Sequence, residues 1–230
     1  MGIVGRSIGL SKASSRYEPP ESVRRSDVYD RNWILLDWVG NGKRVLEVGC
    51  STGFMSRLMV ERNCIVTGIE VDAEAADEAR RYCEDVHVLD LNTCDWIGNI
   101  HKKAFDVVLL GDVLEHLADP ARVLRQVGDV LSTDGSLVIS LPNVVHWATR
   151  FKVLMGQFDY QPWGTLDHTH LRFFTLTNAR ELIESAGYRI IRFHPTFGGR
   201  MSGYARPVWR LLARSMPGLF AYQFLFEARK

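Results

Sequence analysis

The chain has 230 residues, of which 46% are hydrophobic and 24% charged, and this composition fits a single globular domain with a sizeable core. Because the formal net charge is only +1, electrostatics disfavour nucleic acid as the main partner and favour a small molecule. Scattered cysteines without Cys-x-x-Cys spacing argue against a disulfide or zinc framework, and the lack of an apolar run of about 18 residues predicts a cytoplasmic protein.

The N-terminal segment, residues 1–28, combines Gly, Ser, Lys and Arg with two prolines and offers little apolar surface. We expect it to be mobile without ligand and to act as a lid over a bound ligand. Residues 29–230 then form one domain. It begins with a short helix, because Trp33, Leu36 and Trp38 cluster before the glycines at 40 and 42.

Short β-branched runs alternate with helical patterns up to about residue 142, which is typical of a parallel sheet covered by helices on both faces. The apolar runs predict strands at 44–48, 64–69, 86–89, 105–110 and 136–141. The spacing of apolar residues predicts helices at 55–62, 73–83 and 120–131. The predicted fold class is therefore α/β, with a doubly wound, mostly parallel sheet.

A glycine-bounded loop follows the first predicted strand and contains Glu47, Gly49, Cys50, Ser51 and Gly53. The two glycines lack side chains where a ligand would approach the backbone, and ligands of such sheets bind at the carboxyl ends of the strands. A nicotinamide enzyme would have G-x-G-x-x-G here, and a P-loop would continue into Gly-Lys-Ser or Gly-Lys-Thr. The sequence has neither pattern, so it disfavours a nicotinamide oxidoreductase and excludes a P-loop.

The next three predicted strands also end in residues suited to a ligand. Glu70 and Val71 follow the loop by about 20 residues, where an acid of a doubly wound fold accepts hydrogen bonds from ribose hydroxyls. The third strand ends at Asp90 and Leu91, and the fourth ends at Gly111 followed by an acid. Because these ends meet at one edge of the sheet, they predict a nucleoside site there.

Through these motifs the sequence resembles the class I S-adenosylmethionine-dependent methyltransferases over about two thirds of the chain. The resemblance implies S-adenosyl-L-methionine as cofactor and S-adenosyl-L-homocysteine as product. It implies that Glu47 and the 49–53 loop hold the methionine part, that Glu70 takes the ribose hydroxyls, and that Asp90 and Leu91 contact the adenine. It also implies a Rossmann-like sheet of seven strands whose last strand is antiparallel, with 188–193 and 221–228 as the remaining strands.

An inserted stretch at about 144–175 lies where such enzymes form their acceptor pocket, and it carries His146, His168 and His170. Methyl transfer from a sulfonium needs alignment first, and it needs a proton acceptor only when the nucleophile is neutral. Histidine is the natural base near neutral pH. We predict His170 as the first candidate base, His146 as the second and His168 as a further candidate.

Asp112, Glu115 and His116 resemble part of the Glu-x-x-Glu-His metal site of small-RNA 2′-O-methyltransferases. The match is incomplete, because Asp112 replaces the first Glu and because the sequence does not place the partner histidine. We therefore expect no metal and interpret His116 as a cleft residue or as support for a helix start.

The sequence says less about the acceptor. No Asp-Pro-Pro-Tyr, Asn-Pro-Pro-Tyr or Pro-Cys element follows the fourth strand, which disfavours methylation of nucleic-acid bases. The prediction is O-methylation of a hydroxyl on a sugar or another small-molecule acceptor. The alternatives are N-methylation of a small amine and a non-catalytic protein that binds the cofactor or a partner.

Residues 200–220 intersperse arginines with apolar residues at helical spacing. A helix here either packs over the sheet or in an oligomer interface, or makes a peripheral membrane contact with a lipid-linked acceptor. In the second case the arginines supply charge, and Trp209 is an anchor at the headgroup level.

Overall fold

The computed structural model of the chain describes residues 30–93, 96–100, 105–197 and 206–230. The predicted lid at 1–28 lies outside the described residues, as does Cys94. Cys50, Cys64 and Cys83 are free thiols.

A seven-stranded sheet forms the centre of this structure. Its strands are β1 (Arg44–Val48), β2 (Ile65–Glu70), β3 (Asp85–Val88), β4 (Phe105–Gly111), β5 (Leu131–Pro142), β6 (Arg189–Thr196) and β7 (Gln223–Arg229). The strand order is β3-β2-β1-β4-β5-β7-β6, and β7 runs antiparallel to both of its neighbours while the other pairs are parallel. This topology confirms the predicted doubly wound sheet with an antiparallel last strand.

Helices cover both faces of the sheet. They are α1 (Asp30–Val39), α2 (Phe54–Val60), α3 (Ala73–Ala79), α4 (Pro120–Val127), α5 (Trp147–Leu154), α6 (Leu176–Ser185), α7 (Arg206–Ser215) and α8 (Pro217–Phe220). Alternate residues of a strand point to opposite faces, so Val107 and Leu109 pack with α1 and α2, whereas Val108 and Leu110 pack with α4.

All three helices predicted at 55–62, 73–83 and 120–131 end earlier in the structure than in the sequence analysis, the first of them at Val60. The helix predicted at 120–131 ends at Val127, because Leu131 already pairs with Phe105 as the first residue of β5. The helix predicted at 73–83 ends at Ala79. The strand predicted at 136–141 begins earlier, at Leu131. After α4 the apolar pattern continues through Val130 and Leu131 into β5, so periodicity alone did not locate the end of that helix.

The register of the central strands places their carboxyl ends side by side. Val48 lies opposite both Ile69 of β2 and Leu110 of β4. The loops that leave β1, β2 and β4 therefore meet at one edge of the sheet. The 3-10 helix Leu114–His116 follows β4 at that same edge.

Candidate functional site

A cavity of about 360 Å³, here called the glycine-loop cavity, lies at the carboxyl ends of these strands. The structure brings the predicted cofactor residues together there, with one exception, Gly53. The residues that line the cavity include Glu47, Gly49, Cys50, Ser51, Glu70, Val71, Asp90, Leu91 and Gly111.

The carboxylate of Glu70 shapes the loop as well as facing the cavity. One oxygen accepts the N–H of Ser51 at 2.8 Å, and the other accepts the N–H groups of Val71 at 2.8 Å and Asp72 at 3.0 Å. Ser51 has a φ of 47°, which is uncommon for a residue with a side chain. Glu70 therefore stabilises a strained loop conformation, in addition to its predicted contact with ribose.

The three predicted glycines differ in what surrounds them. A Cβ on Gly49 would lie 2.7 Å from Val113, and φ there is +70°. A Cβ on Gly53 would lie 2.9 Å from Tyr82. The missing side chain at Gly53 therefore makes room for residues at the end of α3, and not for a ligand in the cavity. A Cβ on Gly111 would meet nothing within 4 Å, so the cavity is open at that position.

Glu47 is buried beneath the loop, and Ser56 donates a hydrogen bond to its carboxylate. Burial raises the pKa of Glu47 to about 8, despite the opposing effect of the Ser56 hydrogen bond. A ligand with a positive charge near Glu47 would favour its ionised form.

A second cavity of about 810 Å³, here called the insert cavity, lies between α5, the predicted insert, the end of β6 and α7. Its wall is partly aromatic and partly basic. The lining residues include Glu115, His116, His146, Lys152, Trp163, Thr165, Asp167, His170, Phe197, Arg210, Arg214 and Tyr222.

The three predicted histidines separate into two groups. His146 and His170 line the insert cavity. His168 does not line it; its side chain is 54% exposed and lies 3.5 Å from Asp167. The structure therefore keeps His146 and His170 at the cavity and moves His168 away from it.

Burial favours the neutral form of both His146 and His170. Burial lowers the pKa of His146 to about 4, and its ring packs edge-on against Tyr222 with the centroids 5.7 Å apart. Burial, together with the nearby charge of His116, lowers the pKa of His170. The Nδ1 atom of His170 is buried without a hydrogen-bond partner.

Next to His170 lies Glu115, which is only 1% exposed. Burial and the neighbouring charge of Asp112 raise the pKa of Glu115 well above its usual range. Its Oε2 atom has no hydrogen-bond partner. The rings of His116 and His170 meet edge to face, with their centroids 4.9 Å apart.

The two cavities share a wall formed by Arg31, Asp112 and His116. Asp112 accepts hydrogen bonds from Arg31, from Ser140 and from the amide of Gln223. Sequence reasoning missed Arg31, Gln223 and Tyr222, because no motif marks them and their partners lie far away in the chain.

Exposed apolar side chains lie on α5, the insert and α7, which also contribute residues to the wall of the insert cavity. The rings of Trp147 on α5 and Trp209 on α7 stack with their centroids 5.6 Å apart. The large exposed hydrophobic residues of this region include Phe151, Leu154, Met155, Phe158, Tyr160, Trp163, Val208, Leu211 and Met216. Among the described residues, no helix combines the length and the apolar character that a membrane span requires.

Comparison with known proteins adds independent findings. A family model described as a methyltransferase domain matches residues 25–192. A ubiquinone biosynthesis O-methyltransferase from Aeromonas salmonicida is 30% identical over 168 residues, which cover 68% of this chain and 69% of that protein. The protein of the same name from Idiomarina loihiensis is 26% identical over 206 residues, which cover 85% of this chain and 84% of that protein.

The fold also matches solved structures. An S-adenosylmethionine-dependent methyltransferase from Mesorhizobium loti superposes with a TM-score of 0.61 at 19% identity, covering 88% of this chain and 97% of that chain. At this level of identity the match concerns the fold, and it agrees with the sheet topology described above.

Proposed function

Because this chain belongs to the family of S-adenosylmethionine-dependent methyltransferases, we propose that it methylates a hydroxyl of a small-molecule acceptor. Membership of the family confirms the resemblance read from the glycine loop and the strand ends. It also removes the nicotinamide oxidoreductase alternative.

One observation carries the proposal: the predicted cofactor residues other than Gly53, and the predicted bases His146 and His170, line two cavities that share a wall. The glycine-loop cavity suits the cofactor, because it is open at Gly111 and has Glu70 and Asp90 at its strand ends. S-adenosylmethionine bound there supplies a methyl group already activated on a sulfonium. An acceptor in the insert cavity would approach that methyl group where the two cavities adjoin, beside Arg31, Asp112 and His116.

In the proposed mechanism, His170 acts as the proton acceptor. Its neutral imidazole has a buried Nδ1 lone pair that no other group uses. His170 takes the hydroxyl proton as the acceptor oxygen bonds to the methyl carbon, and the pair of the broken carbon–sulfur bond stays on sulfur. His146 is the second candidate, because a pKa of about 4 makes it a weak base. His168 is the last, because it lies outside the cavity wall.

The names of the relatives support oxygen as the methylated atom, since both relatives described above are O-methyltransferases. Those proteins act in ubiquinone biosynthesis. The aromatic wall residues Trp163, Phe197 and Tyr222 suit an acceptor with an apolar or aromatic portion. A small amine and a cofactor-binding protein without transferase activity remain the competing proposals.

The test is methyl transfer from labelled S-adenosylmethionine to a panel of phenols, sugar alcohols and amines, with the product identified by mass spectrometry. We expect an O-methyl product, and we expect His170→Ala to abolish its formation while S-adenosylhomocysteine still binds. A product methylated only on nitrogen, or cofactor binding without any transfer, would contradict the proposal.

We also propose that the apolar surface of α5, the insert and α7 brings the enzyme to a membrane-bound acceptor. Lys152, Arg210 and Arg214 lie on the wall of the insert cavity beside this surface, so cations and apolar side chains occur together. Cosedimentation with anionic vesicles at low salt tests the contact. Replacing Phe151 and Leu154 with serine should release the protein, and wild-type protein that stays in the supernatant would refute the contact.

A further inference from the structure

Glu115, His116 and His170 form a cluster on the insert-cavity side of the shared wall, to which His116 belongs. Glu115 and His116 lie on the 3-10 helix after β4, and His170 lies on the insert. One ligand atom from each residue lies within 4.8 Å of the others. Two imidazoles and one carboxylate therefore converge on one point from two separate segments.

Two atoms of this cluster lack hydrogen-bond partners although they are buried. They are Oε2 of Glu115, whose side chain is almost completely buried, and Nδ1 of His170. Buried polar atoms are nearly always paired, so an unpaired acceptor in each of two adjacent side chains requires an explanation. A cation between them would satisfy both.

Both histidines are oriented by backbone groups through one ring nitrogen. Nδ1 of His116 lies 3.3 Å from the carbonyl oxygen of Thr169, which leaves Nε2 free. The ring of His170 hydrogen-bonds to the backbone of Thr165, and its Nδ1 remains unpaired. Histidine ligands of metals usually have such an outer partner on the second nitrogen, which fixes the tautomer and the ring orientation.

The backbone also fixes the position of the insert relative to the 3-10 helix. The carbonyl oxygen of Glu115 accepts the N–H groups of Leu171 at 2.8 Å and Arg172 at 2.9 Å. The guanidinium of Arg172 in turn donates to the carbonyl of Ala118. These bonds hold His170 beside Glu115, so the cluster is preorganised rather than produced by two mobile side chains.

We propose that Glu115, His116 and His170 bind one divalent transition-metal ion, of the Zn²⁺ or Mn²⁺ type, at this wall. Two histidines with one carboxylate and open positions are a common transition-metal ligand set, whereas Mg²⁺ and Ca²⁺ prefer oxygen ligands alone. Asp112 is not a ligand, because Arg31, Ser140 and Gln223 already engage its carboxylate.

The position of the ion gives it a role that rests on the proposed function. All three ligands line the insert cavity, so an open coordination position there is available to the acceptor hydroxyl. Metal coordination would lower the pKa of that hydroxyl, so that it would release its proton to solvent water at neutral pH and the alkoxide oxygen would be the nucleophile. His170 is then a ligand rather than the base. The proposal also replaces the expectation of no metal, which depended on the absence of a partner histidine in the sequence.

The test titrates Zn²⁺ and Mn²⁺, each alone, into the full chain after chelator treatment, with calorimetry as the readout. We expect one ion per chain, and we expect His170→Ala and Glu115→Gln to weaken binding at least tenfold. The matched control is His168→Ala, which removes an exposed imidazole two positions away and should bind metal as the wild type does. No binding to the wild type, or equal weakening in the control, would overturn the proposal.

Two further readouts separate this inference from the proposed function. S-adenosylhomocysteine binding, measured in the same variants, reports whether they are folded. Methyl transfer to a hydroxyl by chelated, metal-free protein at the wild-type rate would refute the metal site but not the proposed function. Specific metal binding without transfer to any hydroxyl would support the metal site and refute the proposed function.

Discussion

Arg31 and Asp112, 81 residues apart in the chain, form an ion pair at the wall that the two cavities share. Their side chains are 26% and 21% exposed, so solvent screens the pair only in part. Gln223 and Ser140 also donate to the Asp112 carboxylate, and Asp112 itself has a φ of 57°. The pair thus ties α1, β4, β5 and β7 together at the proposed site of transfer.

We predict that Asp112→Asn lowers the free energy of unfolding by about 1–3 kcal/mol. Asparagine tolerates the left-handed backbone, so strain does not contribute. The loss arises because the neutral amide of asparagine lacks the negative charge that pairs with the guanidinium of Arg31 and accepts from the amide of Gln223. Urea denaturation of the two proteins measures the difference.

Asp77→Asn is the matched control for this substitution. Asp77 pairs with Arg80, but its side chain is 77% exposed, so this ion pair contributes well under about 1 kcal/mol. Equal effects of the two substitutions would show that the Arg31–Asp112 pair is no more important than a surface pair.

The glycines of the glycine-loop cavity allow binding and folding to be tested separately. A methyl group on Gly111 enters open space, so Gly111→Ala should fold normally but bind S-adenosylhomocysteine roughly tenfold or more weakly, because it fills cofactor space. Gly49→Ala should instead reduce stability by about 1–3 kcal/mol, because of its positive φ and its contact with Val113.

Gly98→Ala provides the comparison, since a Cβ there also meets nothing within 4 Å and the residue does not line the cavity. Calorimetry and thermal unfolding should both give wild-type values for it. If Gly111→Ala binds S-adenosylhomocysteine as tightly as Gly98→Ala does, the ligand does not lie beside the end of β4 at Gly111.

Glu70→Ala should weaken S-adenosylhomocysteine binding and also destabilise the protein without ligand. The carboxylate accepts three backbone N–H groups around the loop, so its removal leaves these donors unpaired. We expect the binding free energy and the free energy of unfolding each to fall by about 1–3 kcal/mol. The exposed Glu74 of α3 is the control, and Glu74→Ala should affect neither.

The sequence predicted the glycine-loop cavity because its residues follow from local rules. Apolar runs locate the strands, and the ends of parallel strands must meet at one edge.

The helix α6 was not predicted from the sequence. Its capping box pairs Thr175 with Asn178, whereas the usual sequence signal has Glu or Gln at the second position.

The insert cavity depends on tertiary contacts that the sequence does not show. His168 and His170 are two positions apart and equivalent in sequence, but only His170 turns toward Glu115. The difference follows from the turn at 167–170, in which the N–H of His170 donates to the carbonyl of Asp167. Arg31 likewise belongs to the site only because α1 packs against β5 and β7, which brings Arg31 to Asp112.

The last prediction concerns the pH dependence of stability. In the folded protein without ligand, burial raises the pKa of Glu47 to about 8 from the usual 4.5. Between these values the folded state keeps a proton that the unfolded state releases. The free energy of unfolding therefore falls as pH rises from about 4.5 to 8, by on the order of 3 kcal/mol at pH 7, and then levels off.

Glu47→Gln isolates this contribution, because other groups titrate equally in both proteins. The amide stays neutral and its oxygen can still accept the hydrogen bond of Ser56, so the variant should be more stable than the wild type at pH 7.5 and similar at pH 5. Urea denaturation between pH 5 and 7.5 gives the free energy of unfolding of both proteins against pH. Parallel curves would mean that Glu47 is not the source of the pH dependence. In the wild type, the α-ammonium group of S-adenosylhomocysteine beside Glu47 would favour the carboxylate, so this ligand should bind more tightly as pH rises toward 8. The variant should show no such gain.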